Sequence, residues 1–361
     1  MRILFIHASA GAGHFKAAEA LYRGLKKESG HTAILIDALD YSSPRFKKFY
    51  KWTYYTLISR FPWAWGVFFW VANIGWLQPL VRLCRRMYNG LNTRKLHRFL
   101  REERFDYIFA THFLPTEVAG ALKRSGRIAS KLVTVITDFD VHRIWLSPQT
   151  DFYAAATEWT KEKLQKLGAA PQRVIVSGIP TDEKFAAFVD IRALKKKLEL
   201  YENTFTVLIA TGSFGIGPIE AILKELKEFQ VIVVCGHNES LLRKLSAGQY
   251  RLAKIMGLVD NMHELMAVSD VMVTKPGGLS ISEALVSQLP LIFFNAIPGQ
   301  ETGNIRVLKK YGIGISGCTV KQIGEELMRM RSSKDEFLTT LKKTRALARP
   351  AAVRDILALI K

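Results

Sequence analysis

The sequence predicts an α/β protein built from two Rossmann-like halves in tandem, facing one another across a cleft. Three observations predict it. Short apolar runs bounded by Gly, Pro or Asp recur along the chain, each followed by a helical pattern, as in a parallel sheet covered on both faces. A glycine-rich loop follows the first such run of each half, at 8–13 and at 211–217. Between the halves, after Gly178-Ile179-Pro180, lies a polar, lysine-rich stretch at about 190–203. Loops at the carboxyl ends of parallel strands are where open α/β sheets bind ligands, so two such edges imply a shared crevice.

The first half opens with a strand at 2–7, a loop at 8–13 and a helix over about 14–28. A second strand at 33–36 ends at Asp37. After an insertion come strands at 107–110, 132–137, 152–155 and 174–177, with helical stretches between them. The second half repeats the pattern with strands at 206–211, 231–235, 254–259, 271–274 and 291–294. Its helices are expected near 218–228, 240–247, 262–268, 280–286 and 303–311. The remainder, 320–361, reads as helical and basic, broken by Pro350. The domains so defined are 1–190 with an insertion at 41–101, a linker at 191–203, a second domain at 204–345, and a last helix at 346–361 packing back on the first domain.

With 361 residues, 48% of them hydrophobic, the chain can bury two separate cores. Its net charge of +20 calls for an acidic partner: anionic lipid, nucleic acid or a phosphorylated substrate. No nucleic-acid module is recognisable, and the aromatic residues form an apolar block instead of isolated stacking platforms, which sets nucleic acid aside. Cys84, Cys235 and Cys318 are widely spaced and form no C-x-x-C pair. That argues against a disulfide framework and a structural zinc site, and fits a reducing cytoplasm. The opening MRILFIHAS reads as a strand running into a glycine-rich turn, not as a signal peptide.

The insertion is the most unusual segment. From 41 to 101 there is no Asp or Glu, while twelve Lys and Arg and five of the seven tryptophans fall there. Its centre, 61–81, is uncharged and largely apolar. A transmembrane helix is possible on length, since about 20 apolar residues span a bilayer. A single span, however, would put the strands at 2–7 and 132–137 on opposite sides of a membrane. Pro62, Gly66, Asn73, Gly75, Gln78 and Pro79 also interrupt it. A buried helical pair with a solvated basic face is a second reading. The favoured one is an interfacial element, with Trp63, Trp65, Phe68, Phe69 and Trp70 at headgroup depth and Arg82, Arg85 and Arg86 drawn to anionic lipid.

In the first glycine loop, Gly11 and Gly13 allow close approach of a ligand to a helix N-terminus. It is not a dinucleotide fingerprint, because the third glycine position is Lys16, and it has no Walker G-K-[ST]. His14 follows at once. A histidine at a helix start is kept neutral by the dipole and can take a proton from an acceptor hydroxyl. Alternatively it only bonds a neighbouring backbone group. In the second half, Lys275-Pro-Gly277-Gly278-Leu279-Ser280 turns from a strand into a helix. The N–H groups there make a natural diphosphate seat, and Glu283, one turn in, can accept from ribose hydroxyls; an ordinary βα turn is the alternative. Gly212 and Ser213, Gly257 and Val259, and Gln300, Glu301 and Asn304 lie on further loops after strands of the same sheet. Their convergence on one edge is a stronger signal than any one loop.

These segments resemble a known family: 7–18 (HASAGAGHFKAA), 137–145 (TDFDVHRIW), 257–262 (GLVDNM), 275–283 (KPGGLSISE) and 297–304 (IPGQETGN). They look like the monogalactosyldiacylglycerol synthase and processive diacylglycerol glucosyltransferase group, which is related to the MurG-type N-acetylglucosaminyltransferase. The match runs over about 1–330 in the expected order. The resemblance implies a GT-B fold, inverting transfer from a UDP-sugar to diacylglycerol, no cofactor and no metal, at the cytoplasmic face of an anionic membrane. It implies His14 as general base, Leu279 and Ser280 on the diphosphate, Glu283 on the ribose, and Gln300 and Glu301 on sugar hydroxyls. Asp138, His142 and Trp145 would belong to the acceptor side. Asp138-Phe139-Asp140 is a D-x-D, but it sits in the acceptor half, away from the expected diphosphate seat. Phe15 and Lys16 follow the histidine where relatives often carry Arg next, so an anion contact there is not carried over. The other readings are transfer to a polyprenyl-linked acceptor, a UDP-sugar 2-epimerase, and a sugar-nucleotide sensor without activity. Oligomeric state, and glucose against galactose, are not legible.

Overall fold

The structure is a computed structural model that describes every residue except Ala10, Glu28 and Ser29. One position of the expected first loop and the expected last residue of the first helix therefore lie outside the described residues. The chain forms two compact units: Met1–Asp182 with Ile297–Asn304 and Ala351–Lys361, and Glu183–Ala296 with Ile305–Pro350.

In the first unit, β1 (Arg2–His7), β2 (Thr32–Asp37), β3 (Tyr107–Ala110), β4 (Lys131–Val135), β5 (Phe152–Ala155) and β6 (Val174–Val176) form one sheet in the order β2-β1-β3-β4-β5-β6. Every pairing is parallel. Ile3, Leu4, Phe5 and Ile6 are fully buried, so both faces of β1 are covered, which is why the strand reads as an unbroken apolar run. Helix α1 (Ala12–Lys27) buries Ala17, Ala18, Leu21 and Leu25, a helical spacing, against one face of the sheet. The other face is covered from α2 (Pro44–Arg60), which buries Phe46, and, after α3 (Pro62–Val71) and α4 (Gln78–Asn92), from the next two helices. Helix α5 (Arg94–Glu102) buries Leu96 and Leu100; α6 (Phe113–Arg124) buries Leu114, Val118 and Leu122. Helix α7 (Glu158–Lys166) starts at a Thr157/Thr160 capping box.

In the second unit, β7 (Thr206–Ala210), β8 (Gln230–Val234), β9 (Ala253–Met256), β10 (Val271–Thr274) and β11 (Leu291–Phe293) form a parallel sheet in the order β11-β10-β7-β8-β9. The stretch expected as a linker contains α8 (Ile191–Lys197), capped by Asp190 and burying Leu194. Then come α9 (Ile219–Glu225), α10 (Glu239–Ser246), α11 (Met262–Ala267), α12 (Gly278–Val286), α13 (Gln300–Lys310), whose residues up to Asn304 belong to the first unit, α14 (Val320–Ser332) and α15 (Lys334–Leu347). Ile323 and Leu327 of α14 join the second core. Helix α16 (Ala352–Leu357) belongs to the first unit, where its Ile356 and Leu357 pack with Leu21 and Leu25 of α1.

Each sheet has one switch point, where the chain reverses its direction of winding: between β1 and β3, and between β7 and β10. Those positions place the loops after β1, β3, β7 and β10 in two crevices at strand carboxyl ends, the ligand positions of open α/β sheets.

The insertion is four helices, not one. The apolar block is split into α3 and the start of α4 by a turn at 72–77, and among the described residues no helix is long and apolar enough to cross a membrane. The buried-pair reading does not hold either, because α3 has no buried residue and Trp63, Phe68 and Trp70 are 69%, 57% and 67% exposed. Trp65 and Phe69 depart from the expected lipid-facing set. Trp65 packs edge-on to Tyr54, and Phe69 lies against His142, the rings tilted by 41° with centroids 4.0 Å apart. Arg85 also turns inward, to an ion pair with Glu117 at 2.5 Å, which satisfies its charge inside the unit.

Candidate active site

His14 is the third residue of α1, at the carboxyl edge of the first sheet. Its Nδ1 lies 2.7 Å from the Thr111 carbonyl oxygen and 3.0 Å from Thr137 Oγ1. A carbonyl can only accept, so Nδ1 carries the proton and Nε2 presents a lone pair. Thr111 Oγ1 in turn donates to the His14 carbonyl at 2.8 Å, fastening both the ring and the backbone of His14 to the first residue after β3. The pKa of His14 is pushed down to about 4, chiefly by burial; the Thr111 bond opposes that fall and His7 adds to it. The ring is thus neutral near pH 7, with burial as the main cause where the sequence suggested the helix dipole.

Two other imidazoles nearby are arranged differently. His112, its ring centroid 4.7 Å from that of His14, accepts the Leu114 N–H on Nδ1 at 3.1 Å and caps α6. His142 accepts from the Ile144 N–H at 3.0 Å and donates through Nε2 to the Phe69 carbonyl at 2.8 Å. Both of its nitrogens are engaged, and burial pushes its pKa down to about 4. His142 is a fastener between α3 and the 139–145 loop. Trp145, also buried, lies 6.2 Å from the His14 ring.

Asp138 is 6% exposed, and burial pushes its carboxyl up to about 6 against the hydrogen bonds it accepts. Gln300 Nε2 donates to both its oxygens at 3.0 and 3.2 Å. Asn304, fully buried, accepts the backbone N–H groups of Phe139 and Asp140 on Oδ1 at 2.8 and 3.2 Å. Glu301 accepts the Ile297 N–H at 2.7 Å. The Gln300–Asn304 group, expected on the donor side, thus belongs to the first unit and braces the 137–142 loop. Its amides are committed to Asp138 and the neighbouring backbone. Gly11 and Gly13 stand at the start of α1, with no Cβ contact around Gly11 within 4 Å.

The second unit holds the other residues. Helix α12 begins at Gly278 behind Gly277, an N-cap with no side-chain hydrogen bond, so its first N–H groups are not capped from within. Gly278 and Leu279 are buried and Ser280 and Glu283 half-buried. Across the switch point, Gly212 and Ser213 follow β7. The carbonyl of Ser213 accepts from His237 N–H at 2.8 Å and lies 2.5 Å from where a Cβ on Gly236 would be. Only a glycine at Gly236, with φ +60°, lets the two loops come that close. Gly257 and Val259 follow β9.

Thr111, His112 and Thr137 were not singled out from the sequence. Thr137 opens the 137–145 segment but had no role read from it, and the available signal was position: each falls within two residues of the carboxyl end of β3 or β4.

Two parallel α/β units with ligand loops at their switch points define the GT-B class of glycosyltransferase fold. Solved structures agree on the fold: Acinetobacter baumannii MurG, with a TM-score of 0.63 and 14% identity, covering 100% of this chain and 99% of that one. So does the Staphylococcus aureus MnaA–UDP co-structure, with a TM-score of 0.63, 15% identity, and 100% and 96% covered. The family model described as monogalactosyldiacylglycerol (MGDG) synthase matches residues 14–181, and the glycosyltransferase family 28 C-terminal domain matches 194–304. A processive diacylglycerol beta-glucosyltransferase of Staphylococcus saprophyticus is 31% identical over 323 residues, 87% of this chain and 80% of the relative. One from Staphylococcus carnosus is 34% identical over 249 residues, 67% of this chain and 63% of the relative. The chain belongs to this family of monogalactosyldiacylglycerol synthases and processive diacylglycerol glucosyltransferases, and it is a glycosyltransferase.

Proposed function

We propose that the protein transfers a hexose from UDP-glucose or UDP-galactose to the 3-hydroxyl of diacylglycerol, with inversion, at the surface of an anionic membrane. The observation that carries the reading is the His14 imidazole, with Nδ1–H held by Thr111 and Nε2 left as acceptor. The acceptor hydroxyl gives its proton to Nε2 as its oxygen bonds to the anomeric carbon. The bond from that carbon to the UDP oxygen breaks on the opposite side, and one displacement inverts the centre. The uncapped N–H groups at the start of α12 stabilise the charge that builds on the leaving diphosphate. No metal is assigned a step. The relatives' names support diacylglycerol as acceptor, and the MnaA–UDP co-structure supports a UDP site on this fold. The exposed aromatic face of α3 supports work at a membrane surface.

The test is a panel of UDP-sugars offered with diacylglycerol in anionic vesicles, in the presence of EDTA, followed by identification of the lipid product. A glycosyldiacylglycerol of opposite anomeric configuration is expected. His14→Ala should lower transfer at least about 100-fold while UDP affinity changes little. Retained turnover by that variant removes His14 from the base role. Free sugar or an epimerised nucleotide as the sole product removes the transferase reading.

A further inference from the structure

We propose that His112 is a second substrate-binding imidazole: beside the proton-accepting Nε2 of His14 it offers an N–H, and that N–H binds the ester carbonyl next to the reacting hydroxyl of diacylglycerol. His112 is the N-cap of α6, in extended backbone with φ −145° and ψ 148°. Its Nδ1 accepts the Leu114 N–H at 3.1 Å. A backbone N–H can only donate, so Nδ1 holds a lone pair and the one proton of the neutral ring sits on Nε2. The ring stays neutral because burial, and then repulsion from charge on His14, His7 and Arg85, hold its pKa well below 6.5. The pattern is opposite to that of His14, whose Nδ1–H is tied to the Thr111 carbonyl. Two backbone groups three residues apart thus fix two imidazoles in opposite tautomers: the carbonyl of Thr111 and the N–H of Leu114.

The two rings lie 4.7 Å apart between centroids and nearly perpendicular, at 84°. Among the described residues no hydrogen bond joins them, so neither outer nitrogen is consumed by the other. His112 is 1% exposed, and among the described residues no protein group takes its Nε2 hydrogen. In so enclosed a place an unpaired donor costs free energy that a ligand oxygen recovers. The chemistry of the acceptor decides which oxygen that is. The attacking hydroxyl must give its hydrogen to His14 and keep a lone pair for the anomeric carbon; an N–H bonded to that lone pair would weaken the nucleophile. The N–H of His112 therefore suits a second oxygen of the same molecule. In a 1,2-diacylglycerol the carbon beside the hydroxyl carries an ester, whose carbonyl oxygen only accepts. Helix α2 connects this place to the surface: its Tyr50 ring lies edge-on to His112, with centroids 6.4 Å apart, while its Phe49 and Trp52 are exposed. The inference rests on the proposed transfer to diacylglycerol for its ligand, and on the fixed tautomers for its chemistry.

The experiment offers the full chain two acceptors in neutral detergent, a 1,2-diacylglycerol and a 1-acyl-2-O-alkylglycerol, which differ only in the carbonyl beside that carbon. Wild type should prefer the ester about tenfold in kcat/KM, the usual scale for leaving one enclosed donor unpaired. His112→Asn keeps an oxygen for the Leu114 N–H, and Asn is a favoured N-cap, but it has nothing at the Nε2 position. It should melt close to wild type and show no preference between the two lipids. His112→Gln supplies an amide N–H near the Nε2 position and gives up the cap, so it should melt lower and recover part of the preference. A His112→Asn variant that loses turnover on both lipids in equal proportion, and so keeps the preference, makes His112 a helix cap alone and overturns the proposal. A wild-type protein without the preference overturns it as well. Titrating both lipids by tryptophan fluorescence, with no sugar nucleotide present, separates this site from the transferase reading. Ester-selective binding that depends on His112, with no glycosylated product, upholds the site and removes that reading.

Discussion

Beyond His7 at the end of β1, three histidines crowd the edge of the first sheet, and what separates them is the state of their second nitrogen. His142 bonds through both, His112 accepts on Nδ1 to cap a helix, and His14 alone among them donates through Nδ1 and so presents Nε2 as an acceptor. Their burial also sets an acid limit on the fold. His14 and His142 have pKa values near 4 in the folded protein, below the ordinary 6.5. A lowered histidine pKa means that the unfolded chain holds a proton the fold rejects. The stability is therefore fully present above about pH 6.5 and is lost as the pH falls towards 4, by roughly 3 kcal/mol for each ring. Asp138 runs the other way. Its carboxyl is raised to about 6, so it favours the fold in acid and that contribution fades as the pH rises through 6. Two rings outweigh one carboxyl, so the urea midpoint should fall between pH 6.5 and 5, before ordinary carboxylates titrate. His142→Asn should flatten that slope, and a midpoint that stays level or rises in wild type would refute the account.

The start of α12 gives a sharper test of the donor site than its half-buried side chains do. Gly277 has an ordinary φ of −73°, and a Cβ there would meet nothing within 4 Å. A purely structural turn should therefore accept Gly277→Ala at a cost of no more than about 1 kcal/mol, the usual difference between Gly and Ala at an N-cap. If the uncapped N–H groups seat a diphosphate, the new methyl group stands in the ligand's place, and UDP affinity by calorimetry should fall about tenfold or more with the melting temperature nearly unchanged. Unchanged affinity would place the nucleotide elsewhere. This loop was legible because glycines between an apolar strand and a helix leave few alternatives. The strands were legible for a related reason: Ile3–Ile6 and Val207–Ile209 are buried on both faces, so no polar alternation obscures them. The brace made by 297–304 was not. It follows β11 and reads as a loop of the second sheet, yet Asn304 bonds the backbone 165 residues earlier. Such a pairing leaves no local period. Thr111 and Thr137 were hidden because a threonine beside a strand end is common, and only the fold brings both to one imidazole nitrogen.

Charge and apolar surface lie on the same segment of the whole molecule, and their contributions can be separated. The chain carries +20, and the insertion holds twelve basic residues with no acid to offset them. Composition alone made an acidic partner legible, but could not distinguish a lipid-facing aromatic residue from one turned inward, as Trp65 and Phe69 are. The exposed group is Trp63, Phe68 and Trp70 on α3, with Trp52 61% and Trp76 80% exposed beside it. Basic residues attract an anionic surface over roughly a Debye length, about 10 Å at 0.1 M salt, and are screened when salt is added. Aromatic rings act only on contact and are nearly indifferent to salt. Trp63→Ser/Phe68→Ser/Trp70→Ser should therefore weaken binding to anionic vesicles by tenfold or more at 0.5 M salt, where attraction by charge is largely gone. At 20 mM salt the same variant should lose only a fraction of that, because the arginines and lysines still hold it near the surface. A deficit of equal size at both salt concentrations would mean that the aromatic face does not enter the interface independently of the charge. No deficit at either would mean that α3 faces another partner.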